Sequence, residues 1–200
     1  MAKKEFKNKK DKVMAKKSNN TMLFAGVGVV VVAVVVAIVL FTGNSKPKAP
    51  VGGETTNVGQ QDYSAKNIPM TELKADLANG KLSVNLDDIK KNQIVRFEDS
   101  NFTIPLKSGE NVPMPLVAYV SNKGDIKVAI ADCEPCSSTR FHIEGTDLVC
   151  DSCGTRWTLN DLQAVSGGCT QYPPDQKPYK IEGTKLTINE ADIKDWKPRV

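Results

Sequence analysis

Between Ser18 and Ser45 the chain carries no charged residue, and within that gap Met22–Thr42 is almost wholly apolar. At about 1.5 Å of rise per residue these positions would make a helix of roughly 31 Å, the thickness of a bilayer core. Valine is a mediocre helix former in water, but in lipid the backbone must satisfy its own hydrogen bonds, so a helix is expected here all the same. A core helix of this length would carry a polar stripe, and none is present. Eight lysines precede the span, whereas Lys46 and Lys48 alone follow it closely. The positive-inside rule then puts residues 1–21 in the cytoplasm and everything after residue 42 outside a prokaryotic cell membrane. A cleaved signal peptide would have a shorter apolar stretch ending in small residues. Phe41-Thr42-Gly43 is a poor match, so a retained single-pass anchor is expected.

Charge is segregated along the chain. The eight lysines of residues 1–21 against Glu5 and Asp11 give +6, so the remaining residues carry −2 of the net +4. A basic tail on a slightly acidic body gives no case for nucleic-acid binding. With 25% charged residues, a many-span transporter is also excluded.

Residues 43–62 are rich in Gly, Pro and polar residues and read as a linker lifting a domain off the membrane. Residues 63–114 read as the first part of that outer domain and 115–196 as its cysteine-rich part. Met70–Ala78 is expected to be a short helix stopped at Asn79-Gly80. Strands are expected at 81–85, 93–97, 102–106, 116–120, 126–130, 140–143, 147–149, 156–159, 179–181 and 185–188. The best hairpin is the pair around Asn122-Lys123-Gly124. Many short strands between Gly and Pro turns predict a mainly β, antiparallel domain.

All five cysteines fall between positions 133 and 169. Four form two C-x-x-C pairs, Cys133/Cys136 and Cys150/Cys153, with thirteen residues between the pairs. A C-x-x-C turn brings two thiolates onto one ion or one cluster edge, and two such turns complete a four-sulfur shell. The gap is slightly short of the roughly 15–20 residues usual for paired zinc knuckles. Disulfides are permitted outside the cell, but an odd number of cysteines weakens that reading. Covalent c-type haem would need histidine after a pair, and Ser137 and Gly154 stand there. Cys169, in Ser166-Gly167-Gly168-Cys169, is a fifth thiol, beside the four or in place of one. Gly154 suits a tight turn whose N–H groups point at a sulfur, and Arg156 is either an ordinary strand residue or a charge near the centre. His142, the one histidine, is a weak ligand candidate on a strand, and Trp157 reads as core packing.

From Pro115 onward the motifs ADCEPCSSTRFHIEG, DLVCDSCGTRWTL and VSGGCTQYPP resemble the FtrD-like membrane iron–sulfur protein family. That resemblance implies an iron–sulfur centre and an association with bacterial membrane iron uptake. Cys150-x-x-Cys153-Gly154-Thr155-Arg156-Trp157 also resembles the second loop of a Rieske domain, with Cys153 where that family has histidine. The first loop departs from the Rieske pattern, and no histidine stands at a Rieske ligand position. The resemblances together imply a small Rieske-like or rubredoxin-like metal-binding β domain. An all-cysteine two-iron cluster would have a low potential, toward about −400 mV.

Two functions follow from different classes. One is an anchored Fe–S electron carrier passing electrons to a membrane partner, such as an iron permease or another membrane redox protein. The other is a structural or interaction module stabilised by one zinc; mononuclear iron is a further occupant of the same shell. Four thiolates suit iron and zinc about equally. A hydrolytic enzyme is distant, because one unplaced histidine assembles no nucleophile–base set.

Overall fold

The computed structural model describes residues 55–64 and 66–200, so the Met22–Thr42 span lies outside the described residues. Among the described residues no helix is long and apolar enough to cross a membrane. The chain first forms three short strands, β1 (Asn67–Pro69), β2 (Thr71–Glu72) and β3 (Asp76–Ala78), then β4 (Lys81–Asn85) and a helix α1 (Leu86–Asn92). Two long strands follow, β5 (Ile94–Pro105) and β6 (Asn111–Val120), and then β7 (Ile126–Ile130). The cysteine-rich part contributes β8 (Phe141–Glu144), β9 (Asp147–Cys150), β10 (Arg156–Thr158) and β11 (Ala164–Ser166). β12 (Lys180–Glu182) and β13 (Lys185–Asn189) close the chain, ahead of a 3-10 turn at Glu190–Asp192.

These strands make three sheets, ordered β1-β8-β9-β10-β11, β12-β13-β4-β3 and β2-β5-β6-β7. Every pairing is antiparallel except the short parallel contact of β2 with β5. The β6–β7 hairpin is buried on both faces. Side chains alternate across a strand, so Leu116, Ala118 and Val120 enter one core with Ile126, Val128 and Ile130. Val117, Tyr119, Ala129 and Ala131 enter a second core with Phe141, Ile143, Leu148 and Trp157. This double burial explains why residues 116–120 read as an unbroken apolar run rather than an alternating one.

Several local features differ from the sequence expectation. Met70–Ala78 is not a helix but carries β2 and β3. Asn79-Gly80 is the two-residue turn joining β3 to β4, with Ala78 opposite Lys81. Both turn residues have positive φ, 53° and 72°, the signature of a hairpin turn that Asn-Gly favours. The strands expected at 93–97 and 102–106 are one strand, β5, whose pairing with β6 shifts between Asp99 and Thr103. Helix α1 was not expected; Asn85 caps it by accepting from the Asp87 N–H at 2.8 Å, and Leu86 and Ile89 face the core. Its Asp87 and Asp88 lie in the first turn and Lys90 and Lys91 in the last, the arrangement the helix dipole favours.

Residues 57–61 lie along the turn end of the β6–β7 hairpin. The Val58 N–H donates to the Gly124 carbonyl at 2.8 Å and the Gln61 N–H to the Asn122 carbonyl at 3.0 Å. Tyr63 follows, buried, its hydroxyl donating to the Val120 carbonyl. β6 runs through position 115, so the residues on either side of it share one sheet.

Candidate metal centre

The cysteines reach one place from three loops. Cys133 follows β7 and begins a tight turn in which the Cys133 N–H donates to the Ser138 carbonyl and the Cys136 N–H to the Cys133 carbonyl. Ser137 takes a positive φ of 57° to complete it. Cys150 ends β9, and the chain turns back into β10 through Cys153. The Gly154 N–H donates to the Cys150 carbonyl and the Cys150 N–H to the Thr155 carbonyl, both at 2.9 Å. Gly154 sits at φ 67°, where a residue without Cβ is least strained. Cys169 comes from the turn after β11.

All five sulfurs converge. Cys136 Sγ lies 3.6 Å from Cys150 Sγ, Cys133 Sγ 3.8 Å from Cys153 Sγ, and Cys153 Sγ 3.7 Å from Cys169 Sγ. A tetrahedral ion with metal–sulfur bonds of about 2.3 Å has sulfur–sulfur edges of about 3.8 Å. These three separations are close to such an edge. The four sulfurs of Cys133, Cys136, Cys153 and Cys169 all lie within 4.8 Å of one another. This quartet takes in Cys169, which the two C-x-x-C pairs leave out, and does not contain Cys150, which the sequence expectation placed among the four. Cys133, Cys150 and Cys169 are buried, Cys136 is half-buried and Cys153 is exposed, so the group sits at the rim of the second core with one edge open to solvent.

The sulfurs differ in proton affinity. A hydrogen bond from Cys133 holds the Cys150 thiol down to about 4 despite its burial, helped by the backbone N–H groups of Cys153 and Ser152. The same contact, with burial, pushes Cys133 far up. Burial raises Cys136 to about 12, although the Ser138 N–H donates to its sulfur. For Cys153 burial acts upward but is outweighed by hydrogen bonds from Thr155, which hold it below the ordinary thiol range. Backbone N–H groups aimed at sulfur stabilise thiolate charge, the form that binds metal. A cation held by these sulfurs would displace the thiol protons to solvent, and its bonds would take the place of the S–H···S contacts. The donor set is all thiol, with no carboxylate or imidazole in it, which fits iron or zinc.

The other singled-out residues lie around this group. His142 is on β8, its Nδ1 2.7 Å from Asp151 Oδ1 and its Nε2 3.7 Å from Glu144 Oε2; it is not in the sulfur group. The Arg156 guanidinium is bound to Asp147 and Glu144, both at 3.0 Å, which neutralises its charge locally. Trp157 is fully buried against Phe141, ring centroids 6.3 Å apart, and its indole N–H donates to the Thr170 carbonyl at 3.3 Å. Sequence reading passed over Asp132 and Glu134, which flank Cys133 and are both buried. Glu134 is paired with Arg199 near the chain end, Arg199 Nε donating at 2.6 Å. One Asp132 carboxylate oxygen has no partner.

Fold and site together define a mainly antiparallel β domain built around a cysteine-only, metal-binding group. Residues 97–200, which contain all five cysteines, match the family described as membrane iron-sulfur containing protein FtrD-like. The chain belongs to that family. No curated protein matches it.

Proposed function

We propose that this chain is a membrane-anchored, extracytoplasmic carrier of single electrons, with thiolate-bound iron as its redox centre. The observation that carries this reading is the convergence of five sulfurs, at separations fitting metal ligation, in a family described as iron–sulfur containing. Iron held by thiolates supplies a one-electron couple. The chain's residues bury Cys133, Cys150 and Cys169, leave Cys136 half-buried and Cys153 exposed, and direct N–H groups at sulfur, which favours the more negative, reduced state. Cys153 is the exposed point through which an electron would enter or leave.

The anchor at Met22–Thr42, with its lysines inside, would hold the domain near a membrane partner, such as an iron permease or another membrane redox protein. In this reading the loops around Cys133/Cys136 and Cys150/Cys153 form a Rieske-like pair with all-thiolate ligation. The test is chain isolated without oxygen from its own membrane, analysed for iron and acid-labile sulfide, then reduced with dithionite. Iron with a reversible visible and paramagnetic change supports the carrier. A colourless chain with one zinc would overturn it. Protease added to intact spheroplasts should remove the domain; full protection would refute the outward topology.

A second reading rests on a specific observation. Four sulfurs mutually within 4.8 Å can all touch one ion, whereas a two-iron cluster divides its cysteines between two metals and spreads them apart. One zinc or one iron therefore fits these sulfurs after a small inward adjustment to edges of about 3.8 Å. One iron without sulfide would keep the electron-carrier function; one zinc would make the domain a structural or interaction module.

A further inference from the structure

The group holds one thiol more than a four-coordinate ion uses, and the fifth is held in place by specific contacts. The Cys169 N–H donates to Thr155 Oγ1 at 3.2 Å. That hydroxyl, on a fully buried residue, also shares a hydrogen bond with Cys153 Sγ at 3.2 Å. Gly167 is pressed against Thr155 so closely that a Cβ on it would lie 2.6 Å from Thr155 Cα. On the other side of Cys169, Trp157 binds the Thr170 carbonyl, and the Tyr172 N–H donates to the Cys169 carbonyl. These contacts hold Cys169 Sγ at ligand distance from Cys153 Sγ. Cys150 lies just beside this quartet, its Sγ 3.6 Å from Cys136 Sγ. Cys133, Cys136 and Cys153 stand between the two.

Building on the thiolate-metal reading above, we infer that Cys150 and Cys169 are alternative fourth ligands to a fixed core of Cys133, Cys136 and Cys153. One thiol then always stands beside the ion rather than on it. In the exchange, the bond from metal to Cys150 sulfur breaks and the bond to Cys169 sulfur forms. The proton leaving the Cys169 thiol passes to the departing Cys150 thiolate, so the charge and proton count of the site are unchanged. Such a centre tolerates loss of either alternate and fails when both are lost.

The test uses the full chain in detergent, handled without oxygen and loaded with Co²⁺ alone, with X-ray absorption counting the sulfurs around the ion. Cys150→Ser and Cys169→Ser should each keep a four-sulfur shell. The double variant should fall to three sulfurs and bind at least about tenfold more weakly. Three sulfurs in either single variant would overturn the exchange. A second measurement needs no substitution: in wild-type chain loaded with ¹¹³Cd²⁺, the cadmium resonance should couple to the Cβ protons of both Cys150 and Cys169. Coupling to one of them alone would identify a fixed bystander thiol and refute the proposal. Wild-type chain that takes up neither Co²⁺ nor iron would instead bring down the metal reading itself, and the exchange with it.

Discussion

Gly167 and Gly168 are adjacent, yet an alanine should be nearly free at one and costly at the other. Gly167 has φ +111°, a backbone conformation that costs a residue with a side chain about 1–3 kcal/mol. Its added methyl would meet Thr155 Oγ1 at 2.5 Å, Cα at 2.6 Å and Cβ at 2.8 Å. Two of these belong to the stem of a buried residue on the β9–β10 turn and cannot rotate away. Forced overpacking of this kind costs about a further 1–3 kcal/mol. The sum, roughly 2–6 kcal/mol, is a large part of the 5–15 kcal/mol that holds typical domains folded. For a domain of this size it should lower the melting temperature by roughly 6–20 °C. At Gly168 a Cβ meets nothing within 4 Å and φ is not left-handed, so Gly168→Ala should stay within about 0.5 kcal/mol of wild type. Thermal unfolding of the metal-free chain, followed by tryptophan fluorescence, reads both. A Gly167→Ala melt within 3 °C of wild type, or equal losses for the two variants, would refute the claim that this turn is locked onto Thr155.

Trp157→Ala removes the largest fully buried side chain and should cost about 3–5 kcal/mol in urea unfolding. Arg199→Met leaves Glu134, whose side chain is fully buried, with the backbone N–H of residue 199 but without the guanidinium. Arg199 is itself 39% exposed, so the loss should be about 1–3 kcal/mol, and adding Glu134→Gln should restore much of it; no recovery in the double variant would show that the pair is not the cause. Burial, reinforced by Glu134 and partly offset by Arg199, pushes the Asp132 carboxyl from 3.8 up to about 7. A raised pKa means the folded state holds its proton more tightly, so this contribution is complete below about pH 4 and is lost as pH rises through 7. Urea midpoints of the metal-free chain should therefore fall across that window, and Asp132→Asn should flatten the fall.

Much of the strand framework was legible because short β-rich runs between Gly, Pro and Asn turns have few alternatives. β4 and β7 coincide with the expected 81–85 and 126–130. The two C-x-x-C turns were legible from spacing alone, since a turn of that length brings its two ends together in any fold. The 70–78 segment misled because Asn-Gly punctuates both helix ends and hairpins, and only the partner strand decides between them. Helix α1 was hidden by its length: Leu-Asp-Asp-Ile-Lys-Lys-Asn is two turns, too short for a period to stand out between flanking strands. The Glu134–Arg199 pair joins positions far apart in the chain, and no local pattern announces it.

Cys169 was ambiguous for a reason that the sheet register makes concrete. β10 and β11 pair antiparallel, with Trp157 opposite Ala164 and Arg156 opposite Ser166. Val165 is the extra residue of a bulge, and it is exposed. Counting outward from Trp157 without the bulge would set Cys169 opposite Ser152, and a slip of one residue turns a side chain to the other face. Counting from Arg156, beyond the bulge, sets Gly167 opposite Thr155 and Cys169 opposite Cys153. The close Gly167–Thr155 approach and the 3.7 Å sulfur separation agree with that count. The fifth thiol thus reaches the other four through one bulged residue in an edge strand. That residue is invisible to motif spacing because its effect depends on a partner strand.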